Sequence, residues 1–282
     1  PTPPHQVTLA TGPAQSAYEA FGMRYQKALA AEGIEVVLVP SEGSSANLQL
    51  LRDGRADLAF VQGGTAELQP SDQEDLQSLG SLFVEPLWLF YRTQGTPRLR
   101  KTDRLDTLPQ LRGLRVNVGT AGSGVPTLME KLLDANRMKP SDLKLSQLGQ
   151  TEATVRFLAG KLDVLVFASA PESLMVQMLL QTPGVQLMDF AQNEAYGRRF
   201  PFLSPVTLPR GVVDLAGNVP PEDVRLVAST TALLARSSTH PALLQLFAQA
   251  GQVLHGGAGR FNRAREFPNT RPSELPIAAE AA

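Results

Sequence analysis

Three short segments of this 282-residue chain have the residue types and the setting of ligand-binding loops. The first is Thr11-Gly12-Pro13-Ala14-Gln15-Ser16, between a short apolar run at 7–10 and a helical pattern. The second is Glu42-Gly43-Ser44-Ser45-Ala46-Asn47, after the valine-rich run at 34–39. The third is Thr120-Ala121-Gly122-Ser123-Gly124, after Val116-Asn117-Val118. A loop that leads from a strand into a helix turns the helix's free N–H groups outward, and the helix dipole adds positive potential. That combination suits a carboxylate or phosphate. Each loop alone is equally an ordinary strand-to-helix turn with an N-cap, and Ser44 and Ser45 fit capping as well as binding. Their recurrence at equivalent places along the chain favours binding.

Other chemistries find little support. The chain has no cysteine, which excludes disulfide scaffolds, thiolate metal sites and thiol nucleophiles. The histidines His5, His240 and His255 show no metal-ligand spacing, so no metal is expected. Gly119-x-x-Gly122-x-Gly124 is neither a dinucleotide fingerprint nor a P-loop, because no Lys follows the glycines. No G-x-S-x-G elbow is present. Glu42 is the one acidic residue in the three loops and would be the general acid or base if the chain were an enzyme. We expect no catalytic residues and no cofactor. A net charge of −1 argues against a nucleic-acid partner.

The elements that must carry these loops read as strand, helix, strand, helix, strand, twice over. The first round covers apolar runs at 7–10, 34–39 and 57–61, with a helical face of Tyr18, Phe21, Gly22, Tyr25 and Leu29. The second covers 116–118, 143–145 and 163–167, with Leu128, Met129, Leu132 and Leu133 facing inward. Gly160 follows Gly54 by 106 residues, and Asp163 follows Asp57 by the same 106. Each Gly is placed to end a helix and each Asp to open a buried strand, in a structural role. The alternation predicts an α/β class with parallel sheets, and the length suits about two domains of ~150 residues.

We expect a two-lobed chain with a central cleft and hinge. Lobe I is 1–91 plus 202–282, and lobe II, 92–201, is inserted. Residues 87–91 form the exit strand, with Trp88 as core filling or a cleft wall. Residues 202–209 are the return path, and 224–234 read as a further strand. His240-Pro241 opens a helix that carries Leu243, Leu244, Phe247 and Val253. The cluster Arg92, Arg98, Arg100, Lys101 and Arg104 reads as a solvated loop. No run is long and apolar enough to span a membrane. The Pro-rich start and the final Ile277-Ala278-Ala279-Glu280-Ala281-Ala282, read as the beginning of a helix, look like cut edges of a longer chain.

The order of these segments resembles a known family. It is carried by residues 7–12 with Tyr18 and Gly22, then Glu42-Gly43-Ser44-Ser45-Ala46-Asn47-Leu48, then Leu51-x-x-Gly54-x-x-Asp57-Leu58-Ala59-Phe60-Val61-Gln62. In the second half it is carried by Leu111-x-Gly113-x-Arg115-Val116-x-Val118-Gly119, Gly122-Ser123-Gly124 and Gly160-x-x-Asp163. Together they resemble the TAXI family of solute receptors, which serve tripartite ATP-independent periplasmic (TRAP) transporters. The resemblance implies a type II periplasmic-binding-protein fold that closes on a small solute, a glutamate-like carboxylate. It implies delivery to TRAP membrane subunits, a periplasmic location and, in some members, a membrane tether flanking this region. Carried over by position, it points to Thr11, Gly12, Ser16, Tyr18, Ser44, Ser45, Asn47 and Gln62 in lobe I. In lobe II it points to Thr120, Ser123, Gly124, Ser169 and Pro171. Ala17, Ala46 and Gly64 depart from the family's usual Gly, Glu and Asp, which bears on ligand identity rather than on fold. A ligand-sensing domain of a membrane-associated signalling or regulatory protein is the alternative role.

Overall fold

A computed structural model of the chain describes residues 2–65, 67–94, 99–100, 102–259, 261–270 and 275–282. The elements are β1 (Gln6–Ala10), α1 (Ala17–Ala30), β2 (Glu35–Val39), α2 (Ser44–Arg52), β3 (Leu58–Gln62), α3 (Asp72–Asp75) and β4 (Leu76–Tyr91). They continue with β5 (Arg115–Asn117), α4 (Val125–Ala135), β6 (Lys144–Ser146), α5 (Gln150–Leu158), β7 (Val164–Ala168), α6 (Leu174–Leu180) and β8 (Gln186–Leu187). The last are α7 (Asn193–Arg199), β9 (Ser204–Leu208), β10 (Val224–Arg236) and α8 (Pro241–His255). The chain divides into two compact units, Pro1–Val84 with Thr230–Ala282, and Glu85–Ser229. Strands β4 and β10 each have residues in both units.

In the first unit β1 lies between β2 and β3, both parallel to it, and β10 joins β3 antiparallel. Alternate residues of β3 point to opposite faces. Ala59 and Val61 pack with Leu48 and Leu51 of α2, and with Leu76, Leu234 and Leu275. Phe60 faces the other way, into an aromatic cluster with Tyr18, Tyr25 and Phe83. All five residues of the expected α1 face are buried. Burying each large apolar side chain contributes roughly 1.5–3 kcal/mol, so the two faces of this sheet fix α1 and α2 in place.

In the second unit β5 lies between β6 and β7, again parallel, and β4 pairs antiparallel with β7 and β8. The registers coincide. Leu9 stands beside Leu38 and Leu58, and Val116 stands beside Leu145 and Val164. Gly54 and Gly160 have φ of +73° and +78°, the left-handed turn that ends α2 and α5. Asp57 Oδ2 accepts from Thr8 N and Thr8 Oγ1, both at 2.9 Å. Asp163 Oδ2 accepts from Arg115 N at 2.8 Å, and its Oδ1 takes Arg115 Nη2 at 2.7 Å. Both aspartates therefore pin the first strand of their unit to the third, in the structural role that their spacing suggested.

Several expectations need correction. The exit strand is far longer than 87–91, beginning at Leu76; Gly80 and Pro86 look like breakers in sequence but sit inside it. Helices α6 and α7 had no legible period, and α6 exposes Leu174 and Met178. Val253 is 83% exposed rather than on the packed face of α8. Residues 277–282 begin no helix. Instead Ile277 bridges Ser78, and Ala278 N donates to Ser78 O. Arg98 and Lys101 of the basic cluster lie outside the described residues. Arg92 donates to Leu158 O at 2.7 Å, and Arg104 meets Glu222 at 3.4 Å on the surface.

Candidate functional site

The carboxyl ends of β1, β2 and β3 carry a connected polar network. Asn47, fully buried on the first turns of α2, donates to Thr11 O at 2.7 Å and Phe60 O at 2.8 Å. Its Oδ1 accepts from Ser41 Oγ at 2.6 Å. One side chain thus ties together the ends of all three strands. Ser44 Oγ accepts from Gln62 N at 2.9 Å and shares a 3.0 Å hydrogen bond with Tyr18 Oη. Tyr18 Oη also lies 3.3 Å from Thr231 Oγ1, which β10 brings alongside Gln62. Ser45 Oγ donates to Thr65 O at 2.6 Å, and Thr65 Oγ1 donates to Gln62 O at 2.7 Å.

The first loop is held against this network. Ser16 Oγ accepts from Glu19 N at 3.2 Å and caps α1, while Glu19 accepts from Gln15 N. Gly22 allows the approach, since a Cβ there would stand 2.6 Å from Thr11 Cγ2. The structure therefore brings Thr11, Gly12, Ser16, Tyr18, Ser44, Ser45, Asn47 and Gln62 to one end of one sheet. Asn47 and Ser16 spend their polar atoms on backbone, so they shape the site more than they face it.

The second unit builds its loop end differently. Asn117, at the end of β5, accepts from Leu148 N at 2.8 Å and Ser146 Oγ at 2.9 Å, and donates to Leu148 O at 3.2 Å. Thr120 O accepts from Ser123 Oγ at 2.6 Å, and Ser123 Oγ accepts from Val125 N at 3.2 Å. Gly124 is the left-handed N-cap of α4. Ser169 follows β7, and its carbonyl accepts from Trp88 Nε1 at 2.7 Å. Trp88 is completely buried and parallel to Phe90, so it is core that also holds the Ser169 turn. Pro171 is buried, and its carbonyl accepts from Gln177 at 3.3 Å.

Three of the helices that start at these strand ends have glycine N-caps. Gly43, Gly124 and Gly149 precede α2, α4 and α5, and none supplies a side-chain cap. The first N–H groups of those helices have no intrahelical acceptor. The loop segments 11–18, 40–47, 118–126, 147–152 and 169–173 contain no Lys, Arg or His. Within these segments the source of positive potential is the helix ends. Glu42 is exposed, and Glu152 meets Arg156 at 3.2 Å. Among the described residues no group of three or more His, Asp or Glu could hold a metal ion.

The NMT1-like family matches the sequence over residues 9–246. The chain belongs to the NMT1-like family. Solved structures with the same fold include the periplasmic aliphatic sulphonate-binding protein SsuA from Escherichia coli. It is 15% identical, with a TM-score of 0.51, over 89% of this chain and 74% of that one. The effector-binding domain of a BenM variant is 11% identical, with a TM-score of 0.56, over 89% and 94%. The Synechocystis CcmR regulatory domain in complex with 2-PG is 13% identical, with a TM-score of 0.56, over 89% and 98%. This NMT1-like chain therefore has the mixed α/β fold of type II periplasmic-binding proteins and LysR effector-binding domains. No helix among the described residues is long and apolar enough to cross a membrane.

The sequence did not single out Ser41, Thr65 and Thr231 at the loop end of the first unit, or Asn117 at that of the second. Thr231 comes from a strand 169 positions after Gln62, so only the sheet pairing reveals it. Asn117 carried a signal, being a buried amide at the end of an apolar strand.

Proposed function

We propose that the protein is an extracytoplasmic solute receptor. In this reading it captures a small organic acid or acidic amino acid and delivers it to a TRAP-type membrane transporter, without catalysing a reaction. The two compact units serve as its lobes. The supporting observation is the glycine-capped helix N-termini at the strand ends of each unit, with the Ser44 hydroxyl beside the first and Thr120 beside the second. Such ends offer N–H donors and partial positive charge to a carboxylate. The TAXI resemblance supports the transporter partner, and SsuA supports a solute-binding role for the fold.

The test is thermal unfolding of the protein against a panel of mono- and dicarboxylates and amino acids. A ligand at 100 times its Kd adds about 2.7 kcal/mol to stability. No stabilisation by any carboxylate at millimolar concentration overturns the carboxylate reading. A sensing role is the second reading, favoured by the likeness to the BenM effector-binding and CcmR regulatory domains. Transporter genes beside this one support uptake, whereas a DNA-binding or kinase module supports sensing.

A further inference from the structure

The second unit leaves an apolar surface uncovered. Strands β5, β6 and β7 run parallel, and β4 pairs antiparallel with both β7 and β8. Phe90 and Tyr91 of β4 already pair with Leu165 and Val164, so β8 lies on the far side of β4 from β7. Across the sheet the order is therefore β6, β5, β7, β4, β8. Helix α5 links β6 to β7 and α6 links β7 to β8, so both connections join parallel strands and move in one direction. Connections of this kind are right-handed, which puts α5 and α6 on the same face of the sheet as neighbours.

Each helix buries one stripe and leaves another bare. Ala153, Thr154 and Phe157 of α5 are buried, as are Val176 and Leu179 of α6. By contrast Val155 is 64% exposed, Leu158 38%, Leu174 63% and Met178 41%. These are four of the seven large apolar side chains exposed among the described residues. A single exposed apolar residue needs no explanation, but a group on one face marks a contact surface. Val155 is informative in itself, because an exposed valine is a poorer helix former than alanine and adds nothing to the core.

The charges on this face identify its occupant. In α5 and α6 the only charged residues are Glu152 and Arg156, which meet at 3.2 Å. Glu152, Val155 and Arg156 stand at i, i+3 and i+4, so they share one surface. The midpoint of the charged pair falls at residue 154, and Val155 lies about 1.5 Å further along the axis. A second α5 laid antiparallel about that point sets Glu152 opposite Arg156 of the second copy, and Arg156 opposite its Glu152. The two Val155 side chains then meet. An isologous contact requires this reciprocity. A helix that lies on lipid carries a surplus of Lys and Arg, whereas the charges of α5 and α6 cancel. We propose that the α5–α6 face is a docking surface for a second copy of this chain, arranged about a two-fold axis beside Val155. The apolar side chains form its centre and the crossed Glu152–Arg156 pairs its rim. This assignment is independent of the solute reading of the loops.

Sedimentation equilibrium of the full 282-residue chain is the test. The expected result is a reversible dimer with a Kd of about 10–100 μM, because two short helices bury less than a standard interface. Val155→Glu places two carboxylates at the axis and weakens the dimer at least about tenfold. Glu152→Arg and Arg156→Glu are exposed changes, and each alone weakens it about tenfold, since like charges then face each other. An equimolar mixture of these two variants pairs again as tightly as the unaltered chain, because each supplies the charge that the other needs. Non-specific apolar association would not show that exchange. A chain that stays monomeric up to about 1 mM, a dimer insensitive to Val155→Glu, or a mixture no tighter than its components would each overturn the proposal. So would a monomer that co-sediments with phosphatidylethanolamine–phosphatidylglycerol vesicles and loses that binding in Val155→Glu, which would give the face to a lipid surface.

Discussion

Replacing Asn47 by alanine tests the view that one side chain holds the loop end of the first unit together. Asn47 is completely buried and makes three hydrogen bonds, of 2.7, 2.8 and 2.6 Å. A typical hydrogen bond contributes about 1 kcal/mol net, and a buried group left without a partner costs about 1–3 kcal/mol. Thr11 O retains a long contact from Ser41 Oγ at 3.3 Å, so its loss is partial. Phe60 O loses its Asn47 donor, and Ser41 Oγ loses its shortest acceptor. The sum is about 3 kcal/mol. The chain has two compact units, so a global unfolding curve mixes their responses. Native-state hydrogen exchange separates them. The expected result is a fall of about 3 kcal/mol in the opening free energy of α2 and β3 amides. Protection of β5 and β7 should stay unchanged. A fall below about 1 kcal/mol in α2 and β3 would show that water or a loop shift replaces the amide, and the reasoning would fail.

Acidification should destabilise the first unit through His255. Burial foremost, with the nearby Arg24 charge, lowers its pKa from 6.5 to about 4, and a difference of that size corresponds to about 3 kcal/mol. The unfolded chain takes up the proton at higher pH than the folded one. The stabilisation is thus complete above about pH 6.5 and drains away as pH falls towards 4. Urea titrations between pH 7 and 4 should show that slope, and a His255→Gln variant should flatten it; an equal slope in the variant refutes the assignment. Asp72→Asn should cost about 3 kcal/mol or more. Its carboxylate is almost fully buried and takes Arg52 Nη2 at 2.7 Å, Arg52 Nε at 3.0 Å and Gln69 N at 2.8 Å. Denaturation of that variant with no measurable loss would contradict the geometry. Glu42→Gln should leave ligand affinity and stability unchanged in calorimetry, because Glu42 is exposed; a large loss would return Glu42 to the site.

Local signals carried the parts of the fold that local chemistry determines. Gly54 and Gly160 end helices because φ near +75° favours a residue without Cβ. Asp57 and Asp163 open strands because a carboxylate there reaches a backbone N–H of the neighbouring strand. The α1 face was legible because helical spacing selects one stripe of side chains. What stayed hidden depends on distant pairing. β4 runs through Gly80 where Asn269 and Ile277 come back to bridge Ser81 and Ser78, some 190 residues later in the chain, and through Pro86 where Ser169 N donates to the Pro86 carbonyl and Leu87 pairs with Ala168. Thr231 enters the site only through antiparallel pairing with Gln62. The roles of Ser16 and Asn47 were hidden for a further reason. A hydroxyl or amide on a loop looks the same in sequence whether it faces a ligand or binds its own backbone.

The two asparagines show where the repeat ends and specificity begins. Both units must fasten the loop after their second strand to the end of their first. In the first unit the fastener is Asn47, reaching back from the helix that follows. In the second it is Asn117, reaching outward from the strand itself. Strand register and helix-ending glycines are shared between the units, but the fasteners come from different elements. A side chain on a helix leaves the strand end free for hydroxyls such as Thr11, whereas a side chain on the strand occupies that position. The first unit accordingly gathers Tyr18, Ser44, Thr65 and Thr231 into one hydroxyl-rich network. The second offers mainly backbone groups around Ser123 and Gly124. Two similar scaffolds thus end in unlike loop surfaces, one rich in hydroxyls and one mainly of backbone groups.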